Sequence, residues 1–498
     1  MTIFIRRLLL CELLLLLMAA PAIAADDATA RALRLYEKHR YEEAARVLRP
    51  ELASMDSSHQ AAASLALGMI YLNSAALYRD LHQTALLVEL DYLGKLSKQM
   101  TGAASRFVDF YLGEALLEAG KTAEAGIYLR RFAEQMGAKS PVRSFADIEL
   151  GIVYSRQKQV QKAAQAWSKV NLYKPEFKAA LAGAYAVTSA QEKKPVLMAD
   201  AALNDAKLQR YTLNSRMTRN LLRAYIHGGA PEKALDLLNA NELREPSYVE
   251  DIGASKSISF YDLSLLNDIA KTHLRAAVSY LERASRDAKL GSTAGFYLAD
   301  AYLQQGNAEL SLRSAASFLS QPMIPPQYKG LAMVNQASAQ HMAGRHAEAN
   351  AAWQSLAEKS AADPALLAAV IQACAQAGGD CAKLEKPALA AIEKGEGRKY
   401  FSLNAALGKY YLLQKDYAKA VLYMEAGRDK ANKNKIEAND PLLLVGLAEA
   451  YYRNKKFSEN LEIYFEIGKQ YPAVRQIQEA MQGIYSMEQQ SAGDVKIF

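Results

Sequence analysis

Five residues recur in order along this chain: a leucine, a small residue, two variable positions and a tyrosine. They stand at Leu67-Gly68 with Tyr71, Leu150-Gly151 with Tyr154, Leu181-Ala182 with Tyr185, Leu298-Ala299 with Tyr302, Leu407-Gly408 with Tyr411 and Leu447-Ala448 with Tyr451. Leu112-Gly113 with Leu116 is a close variant. A turn and a second small residue follow, as in Ala125 after Gly113, Ala163 after Gly151 and Ala420 after Gly408. Helix-on-helix packing explains the order. A glycine or alanine lets a facing backbone approach, and a large residue one turn away fills the space beside it. Gly120, Gly229, Gly306 and Gly344 lie where a helix end needs positive φ. Leu129, Trp167, Leu238, Trp353 and Tyr464 follow where a second helix packs back.

On these residues the chain resembles the tetratricopeptide repeat family, whose small residue, tyrosine, second alanine, large residue and closing proline match, with Pro472 as that proline. Good units lie near 106–137, 144–172, 216–240, 292–320, 330–358, 401–428 and 441–472, and weaker ones at 27–50, 60–100, 259–285 and 364–395. Gly113 to Gly151 and Gly408 to Ala448 exceed this family's period of about 34 residues, which leaves the related Sel1-like repeat as a second label. The resemblance implies an all-α, right-handed superhelical solenoid of antiparallel helix pairs, with the first helix of each pair lining an inner groove. The regular pattern lapses around 173–215 and 241–290, where a kink is expected.

The opening "MTIFIRRLLLCELLLLLMAAPAIA" has the layout of an export leader: Arg6 and Arg7, an apolar run, then Ala22-Ile23-Ala24. Cleavage is expected after Ala24, with retention as a membrane anchor the rival reading because Glu12 interrupts the run. Cys11 does not fit a lipid-attachment site, since most of the apolar run follows it. The expected organisation is a leader at 1–24, repeats over 25–244, a candidate break at 245–258 in the polar, turn-rich "ELREPSYVEDIGASKS", repeats over 259–487 and a flexible tail at 488–498. The cleaved protein is expected in the periplasm or secreted, with no transmembrane segment.

The chain is 51% hydrophobic and 23% charged, which excludes extended disorder. Its formal charge of +7 falls by one with loss of Arg6, Arg7 and Glu12, and no basic arm concentrates it. Nucleic acid is therefore not an expected partner. Cys374 and Cys381 flank Gly378-Gly379 in "CAQAGGDC". In a reducing compartment they would be inert core residues; outside the cytoplasm they are expected to bridge the facing ends of two antiparallel helices.

The family's groove-facing positions fall here on Phe107, Phe110 and Glu114; Phe145, Ile148 and Ile152; Phe296 and Asp300; Lys409 and Leu412; Glu449 and Tyr452. Arg216, Arg219 and Arg223 lie within an arc of about 60° on one helix at about 100° per residue. Three guanidinium groups on one face repel unless anions sit among them. Two readings follow: an anchor for an acidic segment or chain terminus of a partner, or a face paired with acids of neighbouring repeats. Phe107, Phe110 and Phe145 likewise form either an apolar groove patch or inter-repeat packing. The motif tyrosines are expected to be packing residues.

The histidines (His39, His59, His82, His227, His273, His341 and His346) lack metal-site spacing, and there is no HExxH, GxSxG, phosphate-binding glycine loop or CxxCH. No catalytic residue, metal or cofactor is expected. The expected function is a non-catalytic scaffold of the bacterial cell envelope that binds proteins or peptides in its groove, for polysaccharide export or outer-membrane complex assembly. The alternative is a carbohydrate or small-ligand module using the groove aromatics.

Overall fold

Helix pairs dominate the chain because nearly every apolar stripe is one helix long and ends at a left-handed turn. The structure is a computed structural model describing residues 28–99, 103–137, 140, 142–188, 193–240, 247–251, 257–261, 264–322, 324, 326–360, 362–395, 400–428, 439–471, 474, 477–478 and 481–482. The expected leader at 1–24, the tail at 488–498 and Pro472 lie outside the described residues.

Antiparallel pairs are formed by α1 (Ala28–Glu37) with α2 (Tyr41–Leu48), α4 (Ala103–Glu118) with α5 (Thr122–Gln135), α6 (Arg143–Arg156) with α7 (Val160–Ser168), α8 (Pro175–Thr188) with α9 (Lys193–Leu208), and α10 (Ser215–His227) with α11 (Pro231–Ala240). Later pairs are α13 (Gly291–Gln304) with α14 (Ala308–Leu319), α15 (Pro326–Met342) with α16 (His346–Lys359), α17 (Pro364–Ala377) with α18 (Ala382–Glu393), α19 (Phe401–Leu413) with α20 (Tyr417–Ala426), and α21 (Pro441–Arg453) with α22 (Phe457–Gly468). The fold is thus predominantly helical, built of the antiparallel helix pairs that the repeat implies. The region 173–215, where the pattern lapses, is a regular pair, α8 with α9.

Three elements stand outside the pairs. The expected weak unit at 60–100 is instead one helix, α3 (Ser57–Gln99), of 43 residues. Its sequence has no turn signal between Gly68 and Gly94 and is rich in alanine and leucine, so nothing ends the helix. Its stretch His59–Lys98 is long and apolar enough to cross a membrane by length and composition, and that apolar window is buried within the protein. The expected unit at 259–285 is a strand followed by the 20-residue α12 (Leu265–Ala284). That strand, β2 (Ser257–Tyr261), pairs antiparallel with β1 (Ser247–Asp251), Ser247 opposite Tyr261 and Val249 opposite Ser259. The hairpin occupies the candidate break.

By contacts the chain forms two compact units, Met1–Leu77 with His273–Gln470 and Tyr78–Thr272 with Tyr471–Phe498, so each joins segments far apart in sequence. In the first, Gly68 of α3 lies under Leu281 of α12, where a Cβ would stand 2.5 Å from Leu281 Cγ. Tyr71 there stacks on Tyr280 at 5.9 Å. In the second, a Cβ at Gly113 would stand 2.7 Å from Leu129 Cγ, and Trp167 occupies the space a side chain at Gly151 would need. Trp167 also donates its indole N–H to the Ile148 carbonyl at 3.1 Å. The small-plus-large alternation is therefore direct contact between packed helices, within a pair at Gly113 and Gly151 and between α3 and α12 at Gly68.

Two local devices repeat with this packing. The residue seven positions after the small one is left-handed: Gly120 (φ 77°) and Gly306 (φ 78°), but also Lys158 (φ 61°), Lys415 (φ 64°) and Lys455 (φ 59°). The amide after it donates back to the motif position, as Gln159 to the Tyr154 carbonyl, Asn307 to Tyr302 and Asp416 to Tyr411. A side chain at positive φ costs about 1–2 kcal/mol, and glycine escapes it at some entropic cost. The second device is a tether. Motif tyrosine hydroxyls donate to a carboxylate of the preceding helix, Tyr302 to Glu282 at 2.7 Å, Tyr411 to Glu385 at 2.5 Å and Tyr451 to Glu425 at 2.7 Å, and Tyr225 of α10 does the same to Asp200 at 3.0 Å. These tyrosines do pack, as expected, and they also bond one repeat to the next.

The expected bridge is present, Cys374 to Cys381 with Cα atoms 5.9 Å apart, spanning Gly378 at φ 72° between α17 and α18. Replacing Lys158 or Lys455 by glycine is expected to stabilise the protein by about 0.5–1 kcal/mol in urea denaturation, and Gly306→Ala to destabilise it by a similar amount. Tyr411→Phe or Tyr451→Phe is expected to cost about 1 kcal/mol. Glycine variants no more stable than the parent would contradict the assignment of strain to these turns.

Candidate functional site

The three arginines sit on α10 because its apolar face, with Met217, Leu221 and Leu222 buried, turns Arg216, Arg219 and Arg223 toward α4 and α6. Asn214 fixes the start of that helix, accepting the Met217 amide at 2.8 Å. Arg216 and Arg219 are each only 4% exposed. Groups so buried need anions, and the chain supplies them.

Arg216 makes a two-pronged pair with Glu114 of α4 at 2.6 and 2.9 Å. Its guanidinium also lies over the rings of Phe110 and Phe145, 5.1 and 4.8 Å from their centres. Arg219 donates to Ser264 at 2.8 Å and lies 3.4 Å from Glu114 and 3.9 Å from Glu149 of α6. Arg223 pairs with Asp268 of α12 at 2.7 Å and Glu118 of α4 at 3.0 Å. Glu118 in turn accepts from Asn267 at 2.6 Å and lies 3.5 Å from His82 of α3. Of the two readings of the arginine face, the structure therefore places acids of neighbouring elements on it.

Around these groups lies a cavity of about 170 Å³, bounded by Glu89, Arg156, Lys271 and the arginine–glutamate cluster on its polar side and by Tyr111, Leu117, Ile152 and Val187 on its apolar side. All of it belongs to the second compact unit.

Burial sets the protonation states. Burial pushes Glu118 up, but Arg223 beside it, with His82, Asn267 and Lys271, outweighs this and holds its carboxyl at about 2. Burial would lower Arg223, and Asp268 and Glu118 reverse that, so it stays charged. His82 is lowered by burial, with Lys271 and Arg223 adding to the effect against Glu118. Glu149 differs. Burial and then the neighbouring Glu114 push it up to about 7 against the pull of the arginines, because Arg216 already satisfies Glu114 and Arg219 is shared.

Of the positions expected in the groove, Phe110, Glu114, Phe145, Arg216, Arg219 and Arg223 come together at this cluster. Ile148 is 1% exposed and packed in the core. Phe107 is half-buried against Phe132 at 5.9 Å, Phe110 lies 5.0 Å from Phe132, and Phe145 lies 4.8 Å from Phe177. Of the two readings of these rings the structure favours packing: Phe107 and Phe110 lie against Phe132 of their own pair, and Phe145 against Phe177 of a neighbouring one. The remaining candidates lie in the other unit. Phe296 is buried among Phe318 and Tyr328, and Tyr452 is buried against Phe457. Asp300 and Lys409 are half-buried, and Glu449 lies 3.5 Å from Arg453. The buried rings also remove the coplanar exposed aromatics that the carbohydrate-module reading needs.

Sequence reasoning missed Glu118, Glu149, Asp268, Lys271 and His82. Glu118 stands one turn beyond Glu114 on the same helix, a readable signal; the others arrive from elements distant in sequence. Among the described residues no group of three or more histidine, cysteine or acidic side chains is placed to hold a metal ion.

The fold and site define a repeat protein of antiparallel helix pairs with an internal ion-pair cluster. No protein-family model matches the chain, and no curated protein matches it. Among solved structures it is similar to yeast Tom70 (10% identity, 94% of this chain and 95% of that one, TM-score 0.31). It is also similar to a tetratricopeptide repeat protein from Parabacteroides merdae (13%, 72% and 99%, 0.26) and to the Cut9–Hcn1 hetero-tetramer of the APC/C (12%, 90% and 95%, 0.28).

Glu149 titrates near 4.5 when unfolded and near 7 when folded. The folded state then holds the extra proton between those values, and stability falls as pH rises through that window. Glu149→Gln is therefore expected to be more stable than the parent at pH 8 by about 1–3 kcal/mol, with the difference shrinking toward pH 5. Glu118, held low, acts oppositely: its contribution is present above about 4.5 and fades as pH falls toward 2. Urea midpoints at several pH values check this, and a Glu149→Gln difference independent of pH would contradict it.

Proposed function

We propose that this protein is a non-catalytic protein-interaction scaffold of the bacterial cell envelope, exported by its leader and cleaved after Ala24. The observation that supports it is the distribution of exposed apolar side chains. On helices most of these lie on the second member of a pair, Ile127 on α5, Val160 on α7, Leu197 and Leu208 on α9, Leu422 on α20 and Phe465 on α22, while Met342 and Leu413 end the first-member helices α15 and α19. Val160 is 73% and Leu208 81% exposed. On α9, Leu197 and Leu208 fall on one face, separated by about three helical turns at about 3.6 residues each.

Apolar side chains presented this way along a repeat array are suited to bind partner proteins. The first-helix candidates, by contrast, are largely satisfied inside the chain. Within this reading, polysaccharide-export or outer-membrane complex assembly is the first candidate pathway. The Cys374–Cys381 bridge supports an oxidising compartment.

A photo-crosslinking residue at Leu197 or Leu208, in cells of the native host, is expected to give a discrete protein adduct that a residue at the exposed polar Lys207 does not. Absence of adducts at every second-helix position would end the scaffold reading. Export is checked separately. After cleavage Cys11 is gone and the other two cysteines are bridged, so the denatured, unreduced protein is expected to show no free thiol, whereas an uncleaved chain shows one.

A further inference from the structure

We propose that the cavity beside the arginine cluster binds a small monocarboxylate with a short apolar body, its head seated between Lys271 and Arg156. This site stands independently of the scaffold reading.

Most of the cavity's charges are spent on one another. Glu114 is taken by Arg216, and Glu118 and Asp268 by Arg223. Among the described residues, neither Lys271 nor Arg156 has a carboxylate within ion-pair distance, although both line the cavity. Arg156, an exposed side chain, donates to the Leu117 carbonyl at 2.8 Å. Two cations lining one cavity without a paired carboxylate favour an anion between them.

The surroundings limit its charge and size. Glu118, held ionised by Arg223, and the lining carboxylates Glu89 and Glu114 are neighbours, so a dianion would meet repulsion that a monoanion meets by half. At about 170 Å³ the space far exceeds the roughly 10–15 Å³ that one water needs, and it is too small for a folded segment of a partner. Ile152, Val187 and Tyr111 give it an apolar wall, against which a short hydrocarbon body packs while the head meets the cations. Arg216 and Arg219, both more than nine-tenths buried and held by their own partners, form a rigid frame that needs no ordering on binding.

The test is calorimetric titration of the purified protein with butyrate, with its neutral isostere butyramide and with phosphate, at matched ionic strength. Saturable one-to-one binding of butyrate is expected, with butyramide and phosphate at least about tenfold weaker. Lys271→Met is expected to weaken butyrate by about tenfold, Lys271→Arg to restore most of it, and Lys289→Met to leave it unchanged. Thermal unfolding of each variant shows that it is folded. No saturable butyrate binding, equal binding of butyramide or phosphate, or a folded Lys271→Met protein that binds as the parent does would each overturn the proposal. So would binding of a peptide with a free C-terminal carboxylate in the absence of butyrate binding, since the cavity would then hold a chain end.

Discussion

A pair of helices has an apolar face on each side and too little mass to bury either alone, so every unit of this protein depends on close approach to the next helix. That approach is made where a side chain is missing. Leu129 over Gly113, Trp167 over Gly151 and Leu281 over Gly68 each occupy space that a Cβ would claim. Stability then sums over nearest neighbours, and the contact that closes a pair also sets where the following turn must fall.

The turn and the tyrosine tether follow from that contact. Because the left-handed residue stands at a fixed distance from the small one, the amide after it always meets the carbonyl of the motif tyrosine or its equivalent. The same tyrosine sends its hydroxyl the other way, to a carboxylate on the preceding helix. One side chain thus links the end of its own helix to the helix before it. Four pairs accept a non-glycine residue at the strained turn, His39, Lys158, Lys415 and Lys455, and Arg210 does so between two pairs, which indicates that the packing holds the turn even where the local preference opposes it.

The ion-pair cluster differs in kind from this periodic frame. Arg216, Arg219 and Arg223 are on one helix, but their counter-charges come from α4, α6 and α12, and no repeat rule places Asp268 opposite Arg223. Burial makes each pair depend on its geometry, since removing one partner strands a charge. It also leaves Glu149 as the acid least well matched, sharing Arg219 with Glu114 and so retaining its proton near neutrality. The charged cavity is therefore a tertiary feature superimposed on a repetitive frame, lined by the ion-pair cluster together with Lys271 and Arg156.

Local spacing in the sequence was enough to specify the helix pairs, their close contacts, the glycine turns and the Cys374–Cys381 bridge, because each joins residues within one or two helices. The three arginines were also legible as a face that needs anions. Only the tertiary structure decided which anions: Glu114 was recognisable as a neighbour in the groove, whereas Glu149 and Asp268 approach through packing of elements whose separation no local pattern encodes. For the same reason the uninterrupted α3, the hairpin at 247–261 and the burial of Phe110 and Phe145 were not legible. A period identifies a repeated contact, but it says nothing of the elements that break the period or of what covers the face that the repeats leave open.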